Sequence, residues 1–261
     1  MLNHLIGEDG KLKIDKDLLS IKIDVGLAGE APNSAIWLSE TPDRFVLGIE
    51  PIPYHWKMIE NFETSESLRP YPEDFKIVQR EEGVVKLNRE VVCSIGNRFA
   101  KLECAIDDVE EEQEKDFHVM DRKDGASGSS SLLRPSEDHP HFTEEIIKVK
   151  TISLEKILDH VDWDRFPFIE QIKTDCEGKD FDVVRSIGKY LDRILFITSE
   201  MTNNTHHWHD SCDQQEFINF MQSKGFIPQV SGGGEVLFLN KHILQTLNMV
   251  KLQLNYKTLG H

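Results

Sequence analysis

The feature that most constrains this chain is the run Ile21-Lys22-Ile23-Asp24-Val25-Gly26-Leu27-Ala28-Gly29-Glu30. A β-branched segment breaks into a glycine turn, and an apolar segment, Ala35-Ile36-Trp37-Leu38, follows. Strand, tight loop and helix in that order are how α/β folds hold a nucleotide-like ligand. Glycine supplies positive φ and lets the ligand approach the backbone. A dinucleotide fingerprint needs three glycines, whereas this loop has Gly26 and Gly29, flanked by Asp24 and Glu30. Carboxylates there repel a pyrophosphate and offset the attraction of a helix N-terminus for anions, so a cationic, nucleoside-like ligand is the better match. The bland alternative is an ordinary strand–turn–helix corner that binds nothing.

S-adenosylmethionine has the required character: a nucleoside without phosphate, carrying a sulfonium and an ammonium. The next apolar run, Phe45-Val46-Leu47-Gly48-Ile49, ends in Glu50, twenty-one residues after Gly29. An acid at that offset, ending the second strand, takes ribose hydroxyls. Asp24, Gly26, Leu27, Ala28, Gly29, Glu50 and Pro51 are therefore the expected cofactor contacts. Lys101 to Asp108 reads as the third parallel strand, presenting Ile106 and Asp107 to an adenine.

Taken in order, residues 1–20 form a lead-in, 21–240 one α/β domain, and 241–261 a packing helix with a tail. Tyr54 to Phe62 has helical apolar spacing. Residues 63–74 read as a surface loop, and 75–96 as strand-like pieces. The Gly- and Ser-rich stretch from 121 to 141 is either disordered or a loop whose hydroxyls and amides line a ligand mouth. Phe166 to Thr174 is a strand stopping in Asp175-Cys176-Glu177-Gly178, and Arg193 to Glu200 is another that ends in acid. The last two strands, 226–230 and 235–239, are joined by Ser231-Gly232-Gly233-Gly234 and must be antiparallel. The expected fold is α/β: a mostly parallel sheet closed by a C-terminal antiparallel hairpin, with its ligand crevice at the carboxyl ends of the strands.

The formal charge is −16. Nucleic-acid affinity rests on neutralising phosphates with Lys and Arg, so nucleic acid and anionic membrane surfaces are poor partners, and a neutral or cationic substrate is easier to accept. The four cysteines form no CxxC pair. With no apolar run of membrane-spanning length and no secretory signal, a cytoplasmic location is expected. No residue pattern specifies an oligomeric state.

Four segments carry a family resemblance: Ile23-Asp24-Val25-Gly26, Gly48-Ile49-Glu50-Pro51, Ser129-Ser130-Ser131-Leu132, and Ile172-Lys173-Thr174-Asp175-Cys176-Glu177-Gly178-Lys179-Asp180. In this order, over roughly residues 20–240, the chain resembles the FkbM-type family of S-adenosylmethionine-dependent methyltransferases. The resemblance implies a Rossmann-like seven-stranded sheet and O-methyl transfer to a hydroxyl of a small-molecule or glycan-like substrate. Two departures stand out. Glu30 occupies the place of the family's second loop glycine, and the last block ends in Asp180 where the family has Glu.

Methyl transfer to a hydroxyl needs a positioned nucleophile and a proton acceptor. Asp175 is assigned to the cofactor ammonium or the substrate. Glu177 is assigned to the base or a substrate hydroxyl, with the alternative that it charges the start of the next helix. Lys173 is expected to pair with a carboxylate. His206, His207 and His209 suit general bases, metal ligands, a substrate lid or a plain polar loop. Asp175, Glu200 and Asn203 at adjacent strand ends would suit Mg²⁺, but no metal is assigned. Two other functions stay open: a non-catalytic module that binds the same cofactor, and a nicotinamide oxidoreductase, which the acidic loop disfavours.

Overall fold

Strands β1 (Ser20–Val25) and β2 (Arg44–Ile49) are buried almost throughout and pair in parallel. Covered on both faces, such strands read as near-continuous apolar runs. The computed structural model describes residues 1–29, 31–61, 96–120, 129–137, 144–201, 207–230 and 234–258. The expected surface loop at 63–74 and the strand-like pieces up to residue 95 lie outside these, as do Glu30, Asn203, His206 and the turn at 231–233.

Between the first two strands runs α1 (Pro32–Glu40), and α2 (Pro53–Asn61) follows β2. Strand β3 (Phe99–Leu102) extends the sheet beyond β2, while β7 (Ile169–Thr174) and β8 (Ile194–Glu200) extend it on the other side of β1. A hairpin of β9 (Phe226–Val230) and β10 (Glu235–Asn240) completes a seven-stranded sheet of order β3-β2-β1-β7-β8-β10-β9. All pairs from β3 to β8 are parallel, and β10 runs antiparallel to both its neighbours. The fold is the mostly parallel α/β sheet with the antiparallel C-terminal hairpin expected from the sequence. Strand order reverses at β1, so a crevice opens at the carboxyl ends of β1 and β7.

A second sheet was not anticipated. Strand β4 (Ala105–Ile106), β5 (Gln113–Met120) and β6 (Glu144–Ile152) form a three-stranded sheet of order β4-β6-β5. The run from Lys101 to Asp108, expected as one strand, is therefore divided. Its first part ends β3, and the chain leaves the main sheet at Glu103-Cys104 to pair with β6.

Ile21, Ile23 and Val25 point into the main core with Ile172, Ile197 and Phe238, and the α4 helix (Asp180–Arg185) adds Val183 and Val184. Leu2, Leu5 and Leu18 of the N-terminal segment pack into the same core. The other face of the sheet is covered by Trp37, Leu38, Trp56 and Ile59 of the first two helices. At the amino ends of the strands, the Arg44 guanidinium forks onto Glu170 with bonds of 3.2 and 2.9 Å, and Lys22 lies 3.4 Å from the same carboxylate. Ser153 is the N-cap of helix α3 (Leu154–Leu158) but makes no side-chain cap; the helix's first amide, Leu154 N–H, donates instead to the Ser186 hydroxyl at 3.1 Å. Helix α5 (Gln214–Ser223) is capped by the Asp213 carboxylate, and α6 (Lys241–Thr258) leaves the end of β10. No helix among the described residues is long and apolar enough to cross a membrane.

Gly26 has φ 76°, and a Cβ there would sit 1.9 Å from the carbonyl oxygen of Asp175. Gly10 has almost the same φ, 77°, with nothing within 4 Å of a Cβ. Gly10→Ala should therefore cost only the left-handed strain, about 1 kcal/mol. Gly26→Ala must also force two strand ends apart and should cost at least about 3 kcal/mol. Urea unfolding of both variants measures the difference; equal losses would mean that Gly26 and Asp175 do not meet.

Candidate functional site

The glycine turn leaves β1 at Val25, and Gly26 N–H and Leu27 N–H both donate to Ile49 O, at 3.0 and 3.3 Å. Leu27 turns its side chain into the core beneath the loop, so only its backbone is available to a ligand. Ala28 and Ala31 adopt left-handed φ of 55° and 47°, positions that favour glycine. Strain of this kind persists where surrounding structure holds it. Ala31 is the N-cap of α1 and has no side chain to satisfy the helix's open amides, while Pro32 at the first helical position needs no donor partner. Asp24 does the capping from β1: its Oδ2 accepts from Ser34 N–H at 3.1 Å and from the Ser34 hydroxyl at 2.7 Å. The other oxygen, Asp24 Oδ1, is buried with no hydrogen-bond partner, and the Lys173 ammonium stands 3.8 Å from it. Burial pushes the Asp24 carboxyl above the ordinary range, against the pull of Lys173 and Ser34.

Glu50 ends β2 and is 4% exposed. Its Oε2 accepts from Ala28 N–H at 3.0 Å and its Oε1 from Ile52 N–H at 2.9 Å, and His55 Nδ1 lies 3.1 Å from Oε1. Trp56 Nε1 donates to the Glu50 carbonyl at 2.9 Å. The carboxylate thus ties the glycine loop to the end of β2. Gly29 is buried and Pro51 half-buried beside these groups.

The carboxyl end of β7 lies between the two carboxylates of β1 and β8. Lys173 Nζ donates to Asp175 Oδ2 at 3.1 Å and to Gly26 O at 3.2 Å. Burial works against its charge, but Asp175 and Asp24 outweigh that and hold the ammonium well above the usual lysine range. The register that pairs Thr174 with Ser199 brings Asp175 beside Glu200. Oxygens of Asp175, Glu177 and Glu200 lie within 4.8 Å of one another. Burial, the hydrogen bond to Asp175 and the Asp175 charge push Glu200 up to about 9. Burial also raises Asp175, but Lys173 and the hydrogen bond from Glu200 bring it below the ordinary carboxylate range. Near neutrality, then, Glu200 keeps a proton and donates it to an ionised Asp175. The sequence offered Glu200 only as an acid at a strand end that would suit a metal, not as a partner of Asp175.

Glu177 and Gly178 turn the chain into α4 with φ of 49° and 91°. Asp180, at the end of the sequence block, accepts from Cys176 N–H with both oxygens at 3.3 Å, and burial pushes it to about 6. Its short side chain closes the turn on itself. Trp208, Ser211 and Cys212 wall a small cleft with Glu177 and Glu200, and burial and Glu216 push the Cys212 thiol up to about 12. His207, next to Trp208 in the chain, is half-buried, its carbonyl accepting from Ser136 N–H at 2.9 Å. Asp107 is buried and held by Lys115 at 2.6 Å and Lys179 at 2.9 Å. Burial alone would raise it, and the two lysines hold it below the ordinary range. Ile106 is packed in the main core. The structure thus brings Asp24, Gly26 to Gly29, Glu50 and Asp175 to one end of the sheet. Asp107 is joined to that end through Lys179.

A family profile described as "Methyltransferase FkbM domain" matches residues 43–228. No curated protein matches the sequence. Among solved structures, the chain is similar to a methyltransferase FkbM from Methylobacillus flagellatus KT, at 12% identity and a TM-score of 0.45, over 85% of this chain and 44% of that one. A precorrin-6y C5,15-methyltransferase from Geobacter metallireducens GS-15 is similar at 10% identity and a TM-score of 0.36, over 87% of this chain and 80% of that one. The chain spans less than half the length of the Methylobacillus protein.

The shared proton makes a pH-dependent prediction. In acid, Glu200 is protonated in both folded and unfolded chains. Above the ordinary carboxyl range the unfolded chain ionises while the folded one keeps its proton to about pH 9, so stability falls as pH rises across that window. Glu200→Gln keeps a donor to Asp175 and removes the titration. Its melting temperature relative to wild type should climb from about pH 5 to about pH 9 and then level off. A difference independent of pH in scanning calorimetry would show that Glu200 titrates normally.

Proposed function

Because the chain belongs to the FkbM methyltransferase family, we propose that it transfers a methyl group from S-adenosylmethionine to a hydroxyl of a small-molecule or glycan-like acceptor. The observation that carries this reading is the acidic cradle around Gly26: Asp24, Glu50 and Asp175 at neighbouring strand ends, with Asp24 Oδ1 buried and short of a donor. Such a cradle fits a cationic nucleoside and opposes a pyrophosphate.

When bound, the cofactor would supply an electrophilic methyl on its sulfonium. Asp24 and Asp175 offer oxygens to the ammonium, and Glu50, already aligned by Ala28 and Ile52 N–H, offers a remaining lone pair to the ribose hydroxyls. Leu27 to Gly29 present backbone rather than side chains. On the acceptor side, Glu200 holds its proton near neutrality and is a poor base. Glu177 is the carboxylate proposed to take the hydroxyl proton, with His206 and His207 as the next candidates. Alignment of the nucleophile with the methyl carbon contributes the larger share, ~7–11 kcal/mol, and a base on the order of 10²–10⁴-fold in rate.

Titration calorimetry with S-adenosylmethionine, followed by S-adenosylhomocysteine release over a panel of hydroxylated acceptors, tests this reading. Binding without turnover would favour a non-catalytic module, and binding of NAD alone would favour an oxidoreductase. Glu50→Ala should weaken the cofactor by ~1–3 kcal/mol; unchanged affinity takes Glu50 out of the site. Glu177→Gln should keep cofactor affinity and slow a single turnover on the order of 10²-fold. A near-normal rate would transfer the role of base to the histidines.

A further inference from the structure

The turn that presents Glu177 does not support itself. A non-glycine residue at φ 49° followed by Gly178 at 91° puts two successive residues in the left-handed region. Strain of that kind survives only where neighbours impose it. Cys176 O is satisfied locally, accepting from Lys179 N–H at 3.2 Å. Glu177 O turns away from the helix and accepts from the Ser131 hydroxyl at 2.9 Å.

Ser131 is well placed to impose the conformation. It is 1% exposed. Its hydroxyl is oriented from behind, because Leu133 N–H donates to the same oxygen at 3.0 Å. With one bond received and its hydrogen directed between Glu177 O and the more distant Cys176 O at 3.4 Å, the side chain has little freedom to turn. Its backbone is fixed to β5 by two bonds: His118 N–H to Ser131 O at 2.8 Å, and Ser131 N–H to His118 O at 3.1 Å. The residues that follow run on to the cleft wall. Ser136 N–H donates to His207 O at 2.9 Å, and His209 N–H donates to Arg134 O at 3.0 Å. Leu133 packs over the turn, its Cδ1 3.1 Å from where a Gly178 Cβ would lie. The stretch 131–136 is thus a strap bonded to the second sheet, to the Glu177 turn and to the segment carrying His207.

We propose that Ser131 is a positioning residue, whose hydroxyl holds the Cys176–Glu177–Gly178 turn in its left-handed form and so fixes where the Glu177 carboxylate stands. The inference rests on the proposed function only in giving Glu177 a task. In Ser131→Ala, Glu177 O and Leu133 N–H both lose a buried partner, and the turn is free to relax.

Amide hydrogen exchange, read residue by residue, tests the proposal without a substrate. In Ser131→Ala, exchange at Leu133 and at the bonded turn amides of Cys176 and Lys179 should quicken on the order of tenfold, while β1 and β7 amides keep their wild-type rates. Ser130→Ala, which removes the acceptor for Met120 N–H, should leave the turn amides unchanged. With an acceptor that wild type methylates, Ser131→Ala should lower kcat about tenfold and leave the KM for cofactor within about twofold. Uniform acceleration at all amides, or none at the turn, would overturn the proposal and leave Ser131 an ordinary buried serine. If Ser131→Ala does not fold, Ser131→Cys, of similar size but a much weaker donor, carries the same measurement. Should wild type fail to bind S-adenosylmethionine, the functional reading falls while the exchange result still decides the role of Ser131.

Discussion

The Lys173 ammonium lets two acidic strand ends share one place. Asp24 and Asp175 close parallel neighbouring strands, and Gly26 brings the first strand's exit against the carbonyl of the second. Without a cation between them the two carboxylates would repel. A unit charge pair at about 4 Å is worth about 4 kcal/mol in the effective dielectric of a protein, while desolvation costs several kcal/mol per buried ion. The balance is narrow. Lys173 and the proton lent by Glu200 favour an ionised Asp175, and Lys173 also reaches Gly26 O, while burial pulls Asp24 the other way. The family to which the chain belongs gives that arrangement a chemical context.

Much of this was legible in the order of residue types. Buried parallel strands need long apolar runs, so β1, β2, β7 and β8 stood out, and acids just past those runs marked the crevice. The hairpin was legible because a short glycine loop leaves two strands no other geometry. The second sheet was not. Ala105-Ile106 continues the apolar run of β3, and what removes it from that strand is a partner in β6, some forty residues further on. Lateral relations were equally hidden. Glu200 was visible as an acid at a strand end, but its proton-sharing depends on the register between β7 and β8. Ser34 was one serine in a helix until the loop's path placed it on Asp24. The serine cluster near residue 130 was visible as composition, whereas its bonds to Glu177 O and Met120 N–H arise only in three dimensions.

The irregular glycine loop has a physical account. Where Ala28 and Ala31 stand with positive φ, the cost is offset by fixed partners: Glu50 accepts from Ala28 N–H, and Asp24 caps the helix that Ala31 cannot. Carboxylates expected to face a ligand therefore also hold the loop that would face it. Binding and local folding are coupled through the same oxygens. Asp180 follows a similar logic, since its short side chain bends back to the Cys176 amide.

The hairpin at the end of the main sheet bears on how copies of the chain meet one another. Among the described residues, β9 is the outermost strand on that side, and Pro228 stands in its middle opposite Phe238. An open strand edge is a row of donors and acceptors on which another chain's strand can grow. Proline takes one donor out of that row and cannot be accommodated in a strand paired on both sides. Sheet-to-sheet continuation through β9 is thereby interrupted at its centre, and a seven-stranded array with a strongly apolar interior is kept from serving as a template for aggregation along that edge.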